Sequence, residues 1–124
     1  MVGLLYVLSG PSGVGKNTVL TEILTKRKDL TYSISATTRL PRGQEVDGVD
    51  YYFFTKEQFL AEIENDGFLE WAEIYGHYYG TPKQTVLSRI NSGQHVILDV
   101  DIQGATQIRK NYPNSILIFL YPPS

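Results

Sequence analysis

The sequence predicts an α/β fold, a parallel sheet with helices on both faces, interrupted by a small α+β insertion. Three observations carry this. Leu4 to Leu8 is continuously apolar, as strands covered on both faces are, and His95 to Val100 and Ser115 to Tyr121 are likewise apolar strands. A loop and a helical pattern follow each of the first two, and strand–loop–helix alternation implies parallel strands joined by right-handed crossovers. Between residues 36 and 90 that rhythm is replaced by a stretch rich in Tyr, Thr and Gly. The expected division is therefore a core from residues 1–35 and 91–124, with residues 36–90 as the inserted unit.

The elements follow in order. After Leu4 to Leu8, Ser9 to Gly15 is a turn whose glycines supply backbone freedom. From Lys16 the pattern becomes helical, with Val19, Leu20, Ile23 and Leu24 on one side and Lys26-Arg27-Lys28 suiting a solvated helix C-terminus. Thr31 to Ser35 reads as a short strand. Tyr51-Tyr52-Phe53-Phe54 resembles part of a hairpin, and Lys56 to Asn65 an amphipathic helix presenting Phe59, Leu60 and Ile63. Glu73 to Tyr75 and Tyr78-Tyr79 flank Gly76-His77 as a second hairpin with a two-residue turn, and Pro82 starts a helix through Ile90. Gly104 to Lys110 is a helix, and Pro122-Pro123 stops the last strand. Trp71, Phe53, Phe54 and Phe59 are expected in the core.

Composition narrows the chemistry. Hydrophobic residues make up 42% of the 124 positions and charged ones 19%, enough for a packed core and too little charge for disorder. A net charge of −2 offers no global attraction to nucleic acid or to anionic membranes, so any anion site has to be built locally. Without cysteine there is neither a disulfide framework nor a thiolate metal site, and His77 and His95 lack neighbours with which to hold a metal. The longest apolar run, Ile116 to Tyr121, is too short to span a bilayer, and the expected location is cytoplasmic.

The local anion site is conspicuous. Gly10-Pro11-Ser12-Gly13-Val14-Gly15-Lys16-Asn17-Thr18 follows an apolar strand and opens a helix, the setting in which a glycine loop wraps phosphate with inward N–H groups and a helix N-terminus. Lys16 is placed to reach β- and γ-phosphates, which makes this a P-loop nucleoside-triphosphate fold. Asn17 stands where Ser or Thr normally presents a hydroxyl to Mg²⁺. Its amide oxygen is a neutral hard-cation ligand, so magnesium binding is expected to be altered while nucleotide binding persists. Thr18 still offers a hydroxyl to the α-phosphate. Asp99 and Asp101 end the apolar strand beginning at His95, and ligands of doubly wound sheets sit at carboxyl strand ends. Asp99 is the expected magnesium partner, through water; a helix-capping role is the simpler alternative.

Four further motifs carry a resemblance. Ser33 to Tyr51 (SISATTRLPRGQEVDGVDY), Gly67-Phe68-Leu69-Glu70-Trp71, Tyr78-Tyr79-Gly80-Thr81 and Leu98-Asp99-Val100-Asp101-Ile102-Gln103-Gly104 together resemble the guanylate kinases, in the same order and over the whole chain. The resemblance implies ATP and GMP as partners, Mg²⁺ with the ATP, and residues 36–90 as the GMP-binding unit. It implies Glu70 as the reader of guanine, Ser35 and Thr81 as hydroxyl donors to O6, and Arg39, Arg42, Tyr51 and Tyr79 around the GMP phosphate, with Asp101 near the nucleoside. Lys16, Arg39 and Arg42 are the implied catalytic cations. Chemistry agrees with the assignment. Guanine presents N1–H and the N2 amine as adjacent donors, which one carboxylate accepts together, while adenine presents an acceptor at N1. Arginine's planar fork suits a phosphate. The family's lid, with its further arginines, would follow Tyr121-Pro122-Pro123-Ser124, so this chain is expected to bind GMP with little turnover, and strand 116–120 is expected to be a bare edge that invites self-association. The competing expectation is a non-catalytic scaffold module of the same family that binds phosphopeptides.

Overall fold

The computed structural model describes residues 2–10 and 15–120, and the sheet–helix alternation appears as two four-stranded sheets. The first has the order β2 (Leu30–Tyr32), β7 (His95–Asp99), β1 (Leu5–Ser9), β8 (Ile116–Phe119), with every pairing parallel. The central strands β1 and β7 are apolar on both faces because both are covered, whereas Ile116 and Leu117 of the edge strand β8 stay exposed. Leu5, Val7, Val96 and Leu98 point toward α3 (Lys83–Asn91) and α4 (Ile102–Asn111), packing with Val86, Ile90, Ala105 and Ile108. Leu8 and Ile97, one residue out of phase, face α1 (Lys16–Lys26) through Leu20 with Ile23 and Leu24. The two-residue period of a strand thus serves two helical layers at once.

The second sheet has the order β4 (Tyr52–Phe53), β3 (Ala36–Thr37), β6 (His77–Pro82), β5 (Phe68–Ile74). The helix α2 (Lys56–Glu64) closes one face of it. Thr55 and Gln58 form a reciprocal capping box at its start, and Phe59, fully buried, stacks on Phe68 at 4.3 Å between ring centroids and on Tyr78 at 5.3 Å. Gly80 faces this aromatic cluster from β6. A Cβ there would meet Phe68 Cδ1 at 2.9 Å and Phe59 Cζ at 3.0 Å, so the position admits no side chain. The two sheets share a core, since Leu69 of β5 is buried among the α3, α4 and β1 residues.

Several sequence expectations are corrected. Tyr51 to Phe54 is not half of a hairpin. Tyr52–Phe53 pairs in parallel with β3, and the intervening loop is held by aspartates: Asp50 Oδ2 accepts from Val46 N and Asp47 Oδ1 from Phe53 N. The turn between β5 and β6 is Tyr75-Gly76, not Gly76-His77. Ile74 pairs with His77, and both turn residues have positive φ (51° and 82°), the twist a two-residue hairpin needs. The strand β2 ends at Tyr32, short of Ser33 to Ser35. The helix α4 begins at Ile102, two residues before Gly104, because Asp101 caps it: its Oδ1 accepts from Gly104 N at 2.7 Å. Trp71 is not core; it lies 37% exposed on β5, the edge of its sheet.

Candidate active site

The glycine loop lies where the strand–helix context requires, between β1 and α1, with its residues Pro11, Ser12, Gly13 and Val14 outside the described residues. Of those described, Gly10 has φ 148° and lies against the last sheet strand, where a Cβ would meet Leu120 O at 2.7 Å. Gly15 caps α1 in the left-handed region. Lys16 reaches across to β7: its Nζ is 3.1 Å from Asp99 Oδ1, both side chains mostly buried. Adjacent parallel pairing of β1 and β7, with Leu8 opposite Asp99, puts the two charges at one sheet end. Among the described residues the Asp99 Oδ1 atom has this ion pair but no hydrogen bond. Asn17 and Thr18 are exposed on the first turn of α1.

A second group forms on β5 and β6. Their antiparallel register places Glu70 opposite Thr81, and Thr81 Oγ1 donates to Glu70 Oε2 at 3.0 Å. Burial pushes the Glu70 carboxyl up to about 6 from 4.5; the hydrogen bond from Thr81 opposes this, and the nearby negative charge of Asp101 adds to it. Gly104 lies beneath: a Cβ there would meet Glu70 Oε1 at 2.8 Å and Asp101 Oδ1 at 3.3 Å. Glu70, Thr81 and Asp101 are thereby brought together. A hydroxyl has one proton, so while Thr81 donates to Glu70 it has none for another acceptor. Ser35, between β2 and β3, has a partly buried side chain, and its carbonyl accepts from Tyr52 N.

The third group centres on Arg39, only 7% exposed. Glu45 accepts from both ends of its guanidinium, Nη1 to Oε1 at 2.7 Å and Nη2 to Oε2 at 2.9 Å. Its Cζ lies over the Tyr51 ring, 4.9 Å from the centroid, and Tyr51 packs edge-on against Tyr79 at 6.3 Å. Glu45 raises the arginine's pKa and is itself held down to about 2, through Arg39 first and the Arg42 backbone N–H second. The Arg42 side chain is exposed. Tyr79 and Thr81 are two residues apart on β6, hence on one sheet face and roughly 7 Å apart along the strand. The arginine group and the Glu70 group are therefore two ends of one surface, opposite the aromatic core that Gly80 faces.

Glu45 was not among the residues singled out from sequence, although a carboxylate six and three residues after two arginines is a visible signal. Gln107 and Asn111, which bond β5 from α4, were missed entirely. Nothing periodic marks them.

Three comparisons place this geometry. The guanylate kinase family model matches residues 3–124. The chain is 53% identical over 122 residues to the guanylate kinase of Caldanaerobacter subterraneus subsp. tengcongensis, covering 98% of this chain and 59% of that protein. It is 54% identical to that of Carboxydothermus hydrogenoformans, covering 98% and 60%. The crystal structure of guanylate kinase from Anaplasma phagocytophilum superimposes with a TM-score of 0.78 at 35% identity, covering 99% of this chain and 62% of that one. The chain spans about three-fifths of the length of the curated relatives it matches. The match runs over nearly the whole chain, both sheets included, and the chain belongs to the guanylate kinase family.

Proposed function

We propose that this chain binds GMP on the second sheet and ATP at the glycine loop, and that it serves phosphoryl transfer from ATP to GMP, yielding ADP and GDP. The observation that carries the reading is Glu70. A largely buried carboxylate, bonded by Thr81 and flanked by Asp101, lies on the same sheet face as the Arg39, Tyr51 and Tyr79 group. One end accepts from guanine N1–H and the N2 amine. The other takes the phosphate, with Arg42 free to swing in from its exposed position. Ser35 supplies the donor to O6, and Thr81 orients Glu70.

On this reading residues 36–90 serve GMP, and residues 1–35 and 91–124 serve the triphosphate. Lys16 leaves Asp99 for the β- and γ-phosphates, and Gly10 through Thr18 wrap them. The Mg²⁺ that ATP brings would be held by Asp99 and Asn17. Once Lys16 leaves, the Asp99 Oδ1 atom, which accepts no hydrogen bond among the described residues, fits a hard cation. Among the described residues no cluster of three or more acidic, histidine or cysteine side chains could hold a metal. Held by Asp99 and Asn17, the ion would supply positive charge against the phosphates. Among the described residues no helix is long and apolar enough to cross a membrane, and we place the chain in the cytoplasm.

Calorimetric titration tests the reading. GMP is expected to bind at least roughly a hundredfold more tightly than AMP, because adenine leaves the buried carboxylate facing a lone pair. Equal affinity for the two would refute it.

A further inference from the structure

Among the described residues the edge strand β5 has no neighbouring strand on its outer side, yet its backbone is not bare. Gln107 of α4 makes a two-point clamp on Trp71: its Oε1 accepts from Trp71 N at 3.1 Å, and its Nε2 donates to Trp71 O at 3.1 Å. One turn further along, Asn111 Nδ2 donates to Leu69 O at 2.9 Å. These two side chains bond the residues on either side of Glu70. One turn earlier on the helix stands Gly104, and the Glu70 carboxylate occupies the space its side chain would fill. Positions 104, 107 and 111 are spaced i, i+3, i+7, so all three share one face of α4.

We infer that this face of α4 is the positioning surface for the guanine-reading carboxylate, with Gln107 and Asn111 fixing the backbone around Glu70 and Gly104 leaving room for its side chain. The inference rests on the proposal that Glu70 reads guanine. It specifies how a strand at a sheet edge, with no further strand paired outside it among the described residues, holds a carboxylate within the few tenths of an ångström that two parallel hydrogen bonds demand. Amide side chains are suited to the task because each carries a donor and an acceptor, as a neighbouring strand would. The consequence reaches further. The helix α4 is capped by Asp101, two residues beyond the Asp99 that Lys16 contacts, so the strand end facing the triphosphate and the strand carrying Glu70 are joined through one helix.

The test is the ratio of GMP to AMP affinity, measured by calorimetry on the full chain, with the thermal midpoint recorded for every variant. Gln107→Ala is expected to lower the ratio about tenfold, the size of one well-made bond to a charged group. Gly104→Ala, an exchange that by helix propensity alone is favourable, is expected to lower it at least as much by displacing the carboxylate. Asn111→Ala is expected to have a smaller effect of the same sign. A loss of the ratio without a fall in the thermal midpoint supports positioning, since a role only in stability would weaken both ligands equally. Should Gln107→Ala fail to fold, Gln107→Glu, which keeps the acceptor for Trp71 N and loses the donor to Trp71 O, is read in the same way. Glu70→Gln separates the two levels of the argument. If it abolishes the preference for GMP while Gln107→Ala and Gly104→Ala retain it, the role of α4 is refuted and the guanine reading stands. If Glu70→Gln itself retains the preference, the guanine reading falls and this inference with it.

Discussion

Acidification is expected to erase the preference for GMP over AMP, with a midpoint set by Glu70. The unfolded value of its carboxyl is 4.5 and burial raises it to about 6. The folded chain therefore holds that proton more tightly between these two pH values. Ionised Glu70 costs the unliganded fold on the order of 2 kcal/mol above the upper value; the cost vanishes below the lower one, so this group alone makes the free protein more stable as pH falls through the window. Guanine needs the ionised form. About one pH unit below the midpoint only about a tenth of the sites are ionised, and GMP affinity falls about tenfold for want of the acceptor. The protonated acid has one donor and one acceptor, which is the complement of adenine's N1 and 6-amine, so AMP affinity is expected to rise as GMP affinity falls. Both nucleotides carry the same phosphate, and its own titration cancels in the ratio. The assay is calorimetry with GMP and AMP at intervals from about pH 8 to about pH 5, spanning the expected midpoint. A ratio that stays flat, or that grows on acidification, would show that Glu70 does not read the base.

Three further outcomes follow from the same geometry. Asp101→Asn keeps an oxygen to cap α4 but removes a negative charge near Glu70, so the midpoint of the pH profile should move to lower pH with little change in thermal stability; Asp101→Ala should instead destabilise the fold by about 1 kcal/mol through loss of the cap, read by urea denaturation. Arg39→Lys replaces a fork held at two points by Glu45 with a single ammonium, and GMP affinity should drop about tenfold or more while ATP affinity is unchanged in parallel titrations. Gly80→Ala drives a methyl group into Phe59 and Phe68 and should lower stability by about 1–3 kcal/mol; an unchanged thermal midpoint would mean that the aromatic cluster yields more readily than its stacking implies.

Acid should also weaken the fold elsewhere. Asp29, paired with Arg27, and Glu45, paired with Arg39, are both held near 2, below unfolded values of 3.8 and 4.5. Their contributions are present above the unfolded values and are lost as pH falls toward about 2, the opposite sense to Glu70.

Whatever depends on neighbours along the chain can be read before it folds. The glycine loop before Lys16, the apolar strands around Leu5 and Val96, and the amphipathic helix from Lys56 are local patterns whose physics is complete within a dozen residues. The family motifs extended that reading to Arg39, Glu70 and Thr81. Which residues face one another is settled only by packing. The β5–β6 register set Thr81 on Glu70, the turn at Tyr75-Gly76 fixed that register, and the ion pair of Lys16 with Asp99 followed from parallel pairing that sets Leu8 opposite Asp99, 91 residues later in the chain. The clamp of Gln107 and Asn111 on β5 links positions 36 and 42 residues apart through backbone atoms, which every residue has. A bond from a side chain to another segment's backbone leaves no mark on that segment's sequence, and for that reason it becomes visible only once the chain has folded.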